Sequence, residues 1–187
     1  RAAVLTATGN TFCPGADLFG AARDPRAKPY AGLARALMKR NSQRLLRALL
    51  ELDKPIVAAV NGVAAGMGVH LALACDLVIM AEEARLVEVF SRRGIAVDAG
   101  GAYLLSRLVG MHKAKELVLL ADDLSAADAL RHGLCNRVVP RAELAAAAGE
   151  WGARLARGPT LALTMSKHLI QRAYEQSLDA CLEQEAL

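Results

Sequence analysis

The sequence predicts an α/β core followed by a helical C-terminal region. Short apolar runs alternate with helical patterns up to about residue 140, and only helical patterns follow. A length of 187 residues with 54% hydrophobic content is enough for one domain with a real core, and it excludes a disordered chain. We therefore expect a core over residues 1–140 and a helical region over 141–187.

The first elements are set by apolar runs and breakers. Residues 2–6 are typical of a buried strand, and residues 20–32, rich in Gly, Pro and charge, of an exposed, mobile connection. Residues 33–52 carry leucines at helical spacing, so we expect one amphipathic helix there. It is ended by Lys54-Pro55, because the residue before proline disfavours the α region. Residues 56–60 form a fully apolar strand.

The later elements alternate in the same way. Ser125-Ala126-Ala127-Asp128 is a capping box that opens a short helix, which Gly133 closes. Strands are expected at 77–81 and at 136–139 before Pro140, and helices at about 67–74, 102–109, 113–120 and from 141 onward, with a break at Gly158-Pro159.

Charge and cysteine content narrow the function classes. A formal net charge of +4 is mildly basic, which suits an anionic ligand but is modest for a nucleic-acid binder. With 4% aromatic residues, base-stacking platforms are not expected. The four cysteines are far apart and form no disulfide or zinc pattern, so we expect small buried residues in a reducing compartment, the cytoplasm.

No secretory signal peptide is expected, since no basic segment precedes an apolar run and a cleavage site. Residues 55–75 contain no Asp, Glu, Lys or Arg, over about the length of a bilayer span. Asn61 and His70, together with three glycines, favour a strand, a turn and a buried helix instead. We expect a soluble protein without membrane partners.

Two junctions, residues 12–17 and 62–68, place small residues where a strand gives way to a helix or loop. The first turn of a helix presents unpaired N–H groups, and two such donors aimed at one oxygen form an oxyanion hole. Glycine before a helix is more often only a turn. The dinucleotide-binding, P-loop and serine-hydrolase motifs are absent, and the four histidines have no metal-ligand spacing, so no metal is expected.

Three segments, residues 12–18, 54–66 and 98–101 followed by 108–110, resemble signatures of the enoyl-CoA hydratase/isomerase (crotonase) family. Matching segments run in the family's order to about residue 165. The resemblance implies a crotonase-like spiral of ββα units that holds an acyl-CoA site over 1–140, and a helical C-terminal region that trimerises. It also implies a homotrimer or a dimer of trimers. Family members are usually longer, so an N-terminal strand layer and part of the C-terminal tail are expected to be missing.

The resemblance further implies an acyl-CoA thioester as substrate and no cofactor, since coenzyme A belongs to the substrate. It assigns the oxyanion hole to the backbone N–H groups of Ala16 and Met67. These amides would stabilise the enolate formed when a proton leaves the α carbon. The implied substrate-binding positions are Pro14, Ala16, Asp17, Leu18 and Gly66.

The departures from the family pattern concern the acid and base. Hydratases of the family hold water between two glutamates, whose positions here are His70 and Phe90. Phenylalanine cannot transfer protons, so two-glutamate hydration is not expected. His70 is either a proton carrier or a buried histidine, and Glu88 is an alternative acid two residues before Phe90.

Asp98 is the remaining acid in this neighbourhood. Some family members, the isomerases of aromatic-ring epoxides and the 4-chlorobenzoyl-CoA dehalogenases, carry their essential aspartate just before the matching glycines. The dehalogenases pair this aspartate with a histidine. The matching position here is Gln43, which argues against a dehalogenase. The structural alternative is that Asp98 caps the following helix.

Three functions remain open. The first is isomerisation of an unsaturated or ring-bearing acyl-CoA with Asp98 as proton shuttle, and the second is hydration that uses His70 or Glu88. The third is a non-catalytic protein that binds acyl-CoA, or binds RNA through a basic helix face formed by Arg35, Lys39, Arg40, Arg44 and Arg47.

Overall fold

The computed structural model describes residues 1–17 and 33–186, and within them eight short strands form two four-stranded sheets. The predicted connection over 20–32 lies outside the described residues. The strands are β1 (Ala3–Leu5), β2 (Thr11–Cys13), β3 (Ile56–Val60), β4 (Val63–Ala65), β5 (Leu77–Ala81), β6 (Arg85–Val87), β7 (Leu124–Ser125) and β8 (Arg137–Val139).

Successive strands are divided between the two sheets. One sheet has the order β1-β3-β5-β8 and is parallel throughout, whereas the other has the order β2-β4-β6-β7 with β7 antiparallel. Each of the pairs β1–β2, β3–β4 and β5–β6 therefore gives one strand to each sheet before the chain turns to the next layer. This is the spiral of ββα units that the sequence led us to expect, and the predicted fold class is confirmed.

Eight α-helices accompany the strands in the described part of the chain. They are α1 (Leu33–Arg40), α2 (Ser42–Leu50), α3 (Met67–Leu73), α4 (Gly101–Leu120), α5 (Ala126–Arg131), α6 (Arg141–Arg157), α7 (Thr160–Ala173) and α8 (Leu178–Glu185), with a 3₁₀ turn over Ser91–Arg93. None of these helices has the length and apolar content needed to cross a bilayer.

The prediction of one helix over 33–52 is wrong. Asn41 has φ −110° and ψ −89°, outside the helical region, and separates α1 from α2. Asparagine tolerates such a break, because its side chain competes with the backbone for hydrogen bonds. Two other predicted helix boundaries are confirmed. Gly110 interrupts α4 with φ 74° and ψ 168°. The Ser125 side chain caps α5 by accepting a hydrogen bond from the Asp128 N–H at 3.1 Å.

The core lies on the first sheet. All five residues of β3 are buried, as are four of the five in β5. Helix α6 covers both strands with a face that contains Leu144, Ala147 and Ala148. The charge-free stretch over 55–75 is therefore β3, β4 and the buried helix α3. The strand and the buried helix were predicted, whereas β4 stands where a turn was expected.

The four cysteines are free thiols. Burial, reinforced by the neighbouring Asp76 carboxyl, raises the pKa of the Cys75 thiol to about 12, and burial raises that of Cys135 to about 11. Both thiols therefore stay protonated at neutral pH, which agrees with the expectation of buried packing residues. The compartment stays a prediction.

Helix α7 is tied to the core by an ion pair that the sequence gave no reason to expect. Lys167 Nζ lies 3.0 Å from Asp76 Oδ2, and the two side chains are 5% and 18% exposed. The same carboxylate oxygen accepts a hydrogen bond from the Ile56 N–H at 2.7 Å, at the start of β3. One carboxylate thus joins α7 to the central strands.

We expect Lys167→Met to lower the free energy of unfolding by about 3 kcal/mol, because it keeps the buried stem but leaves Asp76 without its cation. Lys113→Met is the matched control. Its ion pair with Glu116 is more exposed, with side chains that are 26% and 51% exposed, so the loss should be smaller, about 1 kcal/mol or less. Urea unfolding of both variants measures the difference in the free energy of unfolding. Equal losses would show that the Lys167–Asp76 pair stabilises the fold no more than the Lys113–Glu116 pair does.

The outer faces of α7 and α8 carry exposed apolar side chains, among them Leu161 (74% exposed), Ile170 (72%) and Leu178 (73%). Clustered apolar exposure is typical of interaction surfaces. The trimer implied by the resemblance stays a prediction.

Candidate active site

A cavity of about 910 Å³ opens where the two glycine-containing junctions meet the loop that precedes α4. Four parts of the chain form its wall: the first junction, the second junction with the end of β4, the loop after β6, and residues of α1 and α2 with the residue between these helices. They are Pro14, Gly15, Ala16, Asp17, Met38, Asn41, Ser42, Leu45, Ala65, Gly66, Met67, Val89, Phe90, Arg93, Ile95 and Asp98.

The two junctions are in close contact, because they approach each other through glycines. A Cβ on Gly15 would lie 2.9 Å from the Ala65 carbonyl oxygen and 4.0 Å from the Met67 nitrogen. Gly15 and Gly66 also have φ of +94° and +52°, in the region that favours glycine. The packing thus needs glycine at both turns.

The amides assigned to the oxyanion hole follow these two glycines directly. Ala16 and Met67 both line the cavity, and within residues 1–17 and 33–186 neither N–H donates to a backbone carbonyl. Two N–H groups on adjoining turns of one cavity would stabilise a developing oxyanion if both pointed at the same oxygen, so the oxyanion hole stays a prediction.

Asp98 lies in the same wall. Its side chain is half-buried and makes no hydrogen bond or ion pair with any residue that the structure describes. The alternative that it caps α4 is wrong: the cap is Gly100 with φ 75° and ψ 7°, and only the Asp98 carbonyl takes part, accepting from the Gly101 N–H at 2.9 Å. Gly100 takes the capping position, which leaves the Asp98 carboxyl available to a ligand.

The other candidate acid and base, Glu88 and His70, lie outside the cavity wall, and the Phe90 ring lies between the cavity and His70. Phe90 lines the cavity, whereas His70 and Glu88 do not. His70 Nε2 lies 3.2 Å from Glu88 Oε2, and the two side chains are 0% and 5% exposed. The His70 ring stacks on Phe90 with centroids 5.5 Å apart and an interplanar angle of 4°. Neither His70 nor Glu88 therefore has direct contact with a substrate in the cavity, which speaks against the hypothesis that either of them acts on it.

Of the predicted substrate-binding positions, Pro14, Ala16, Asp17 and Gly66 line the cavity, and Leu18 lies outside the described residues. Gln43 does not line it. Sequence reasoning missed the wall residues of α1, α2 and the residue between them, and those of the 89–95 loop: Met38, Asn41, Ser42, Leu45, Val89, Arg93 and Ile95. The leucines of 33–52 had suggested a core face, yet Leu45 is 43% exposed and faces the cavity.

The basic residues proposed for RNA lie away from this site. Arg35, Lys39, Arg40, Arg44 and Arg47 are all exposed, and none lines the cavity. Arg47 forms an ion pair with Glu51 at 3.7 Å. An exposed basic helix face needs no ligand to explain it, and RNA binding stays an untested alternative.

Comparison with known proteins agrees with this geometry. Residues 1–187 match the family described as enoyl-CoA hydratase/isomerase. The chain is 40% identical to 1,2-epoxyphenylacetyl-CoA isomerase of Escherichia coli, over 99% of this chain and 70% of that protein. It is 38% identical to a probable enoyl-CoA hydratase of Rhodobacter capsulatus, over 100% and 70%.

Solved structures give the same result. The crystal structure of an enoyl-CoA hydratase from Polaromonas superposes with a TM-score of 0.91 at 31% identity, covering 100% of this chain and 71% of that one. With its spiral fold, its two adjoining turns and this match over its whole length, the chain belongs to the enoyl-CoA hydratase/isomerase family.

Proposed function

We propose that the protein is an isomerase of an unsaturated or ring-bearing acyl-CoA, in which Asp98 moves a proton between carbon atoms. The observation that carries the proposal is the free carboxyl of Asp98, which shares one cavity with the Ala16 and Met67 amides. Among the residues that the structure describes, Asp17 is the other carboxylate in that wall, and it belongs to the Ala16 turn itself.

The reaction follows from these three groups. The Ala16 and Met67 N–H groups donate hydrogen bonds to the thioester oxygen and stabilise negative charge on it. In a β,γ-unsaturated acyl-CoA, the Asp98 carboxylate removes a proton from the α carbon, which gives the dienolate, and returns that proton to the γ carbon as the double bond shifts to the α–β position. No atom is gained or lost.

The cavity wall favours isomerisation over hydration. At the two positions that match the family's glutamates, one side chain is the apolar ring of Phe90 and the other, His70, is fully buried behind it. Hydration needs a group that activates water beside the β carbon, and this part of the wall offers none. The 40% identity to 1,2-epoxyphenylacetyl-CoA isomerase supports the same assignment.

The rest of the wall suits an apolar acyl group. Met38, Leu45, Val89 and Ile95 supply apolar side chains around the cavity, a lining typical of pockets that enclose rings or alkyl chains.

Product analysis with linear enoyl-CoAs and ring-bearing acyl-CoAs tests the proposal. Isomerisation gives a product of unchanged mass with a shifted double bond or an altered ring, whereas hydration adds one water. We expect products of unchanged mass, and hydrated product as the main species across the panel would overturn the assignment.

A further inference from the structure

A pair of ionisable side chains is enclosed behind the cavity, and the proposed reaction does not use it. His70 and Glu88 have relative exposures of 0% and 4% as residues. When Glu88 is ionised it can only accept, so His70 donates from Nε2 across the 3.2 Å contact. Groups of this kind are rarely buried without a function or a compensating network.

The network around the pair is incomplete. Within the part of the chain that the structure describes, His70 Nδ1 and Glu88 Oε1 are buried without a hydrogen-bond partner. Glu88 also lines a second cavity, of about 10 Å³, whose other wall residues are apolar apart from Asp122. Water that reached the two unpaired atoms would bind favourably.

Phe90 separates this layer from the substrate cavity. Its ring faces the cavity wall on one side and stacks on His70 on the other. A Cβ on Gly66 would lie 3.5 Å from the Phe90 ring, so the ring also packs against the turn that carries the Met67 amide. Phe90 is only 4% exposed, so the ring fills its position closely.

The far side of His70 is closed as well. A Cβ on Gly101 would lie 2.1 Å from His70 Nε2, so the imidazole fits directly against the start of α4. His70 is therefore covered by the Phe90 ring on the side of the substrate cavity and packed against the start of α4.

We propose that Phe90 determines reaction specificity: its ring keeps water and substrate away from the His70–Glu88 pair, so that the α,β-unsaturated acyl-CoA formed by isomerisation is released and not hydrated. The proposal rests on the proposed isomerase function. Phe90 contacts the substrate cavity, while His70 and Glu88 act only if that ring is removed.

The chemistry that the ring prevents is balanced with water alone. The Glu88 carboxylate would take a proton from a water whose oxygen bonds to the β carbon of the enoyl-CoA. The α–β π bond breaks, its electrons pass to the thioester oxygen as an enolate, and the α carbon then takes up a proton. The product is heavier by one water.

Phe90→Ala is the direct test, with the ratio of hydrated to isomerised product as the readout. We expect this ratio to rise by about tenfold or more, below the full effect of a positioned acid–base group. Phe90→Leu is the matched control, because it keeps an apolar cover and should keep the wild-type ratio. The double change Phe90→Ala with Glu88→Gln should return the ratio to the wild-type value.

An unchanged ratio in Phe90→Ala, or a rise that persists in the double variant, would overturn the inference. Glu88→Gln alone tests it without opening the cavity: isomerisation should stay within about twofold of wild type, and a loss approaching the roughly 10²-fold effect of an acid–base group would mean that the pair is not screened. If the wild-type protein mainly hydrates, the isomerase proposal itself fails. If it isomerises and Phe90→Ala behaves like Phe90→Leu, only the screening role fails.

Discussion

Asp98→Asn is expected to lower kcat for isomerisation by roughly 10²–10⁴-fold, the usual contribution of a positioned general acid–base group. The amide keeps the size and shape of the side chain but cannot take the α proton. Because the Asp98 side chain makes no hydrogen bond within the described residues, the change should leave the thermal stability almost unaltered. Steady-state kinetics with the best substrate of the panel, alongside a melting curve, measures both effects.

Glu83→Gln is the control for loss of one negative charge, since Glu83 is exposed in the turn between β5 and β6 and outside the cavity. It should keep wild-type kinetics. Full turnover in Asp98→Asn would remove Asp98 from the mechanism.

Gly15→Ala is expected to lower kcat by about 10²-fold, the lower end of what one oxyanion donor contributes. The new Cβ would lie 2.9 Å from the Ala65 carbonyl oxygen at a φ of +94°, so the turn must move. That movement displaces the Ala16 N–H, which follows directly in the chain, from the thioester oxygen that it would share with the Met67 N–H in the proposed mechanism. The loss should fall mainly on kcat, because the donor counts most when charge develops on the oxygen.

Gly9→Ala separates this effect from backbone strain. Gly9 also has a positive φ, +78°, but nothing lies within 4 Å of its Cβ position. Both changes should cost stability through the left-handed conformation, about 1 kcal/mol each. Only Gly15→Ala should lose activity, and similar kinetics for the two variants would argue against an oxyanion donor at Ala16.

Local sequence patterns are sufficient to predict the secondary structure where an apolar run or a capping motif is clear. The apolar runs predict β3 and β5 with the observed bounds, Ile56–Val60 and Leu77–Ala81, and the capping box predicts the start of α5. The short strands β2, β4, β6 and β7 were not predicted, because two or three residues carry too little periodicity and their pairing partners lie far along the chain.

The candidate site could likewise be predicted only in part from the sequence. Motif resemblance led to Ala16, Met67 and Asp98, and the structure places all three in one cavity wall. The wall residues of α1 and α2 were not predictable, since their position depends on the break at Asn41 and on how two short helices pack against the turns.

The sequence by itself determined the strand–turn–helix order, the glycine turns and the replacement of a family glutamate by Phe90, because each of these depends on residues close together in the chain. Only the tertiary structure decided that His70 pairs with Glu88, 18 residues away, and Lys167 with Asp76, 91 residues away. No spacing rule encodes such partners: a buried charge takes whichever group the packing brings within reach, and at His70 the packing brings Glu88 and closes the cavity side with the ring of Phe90.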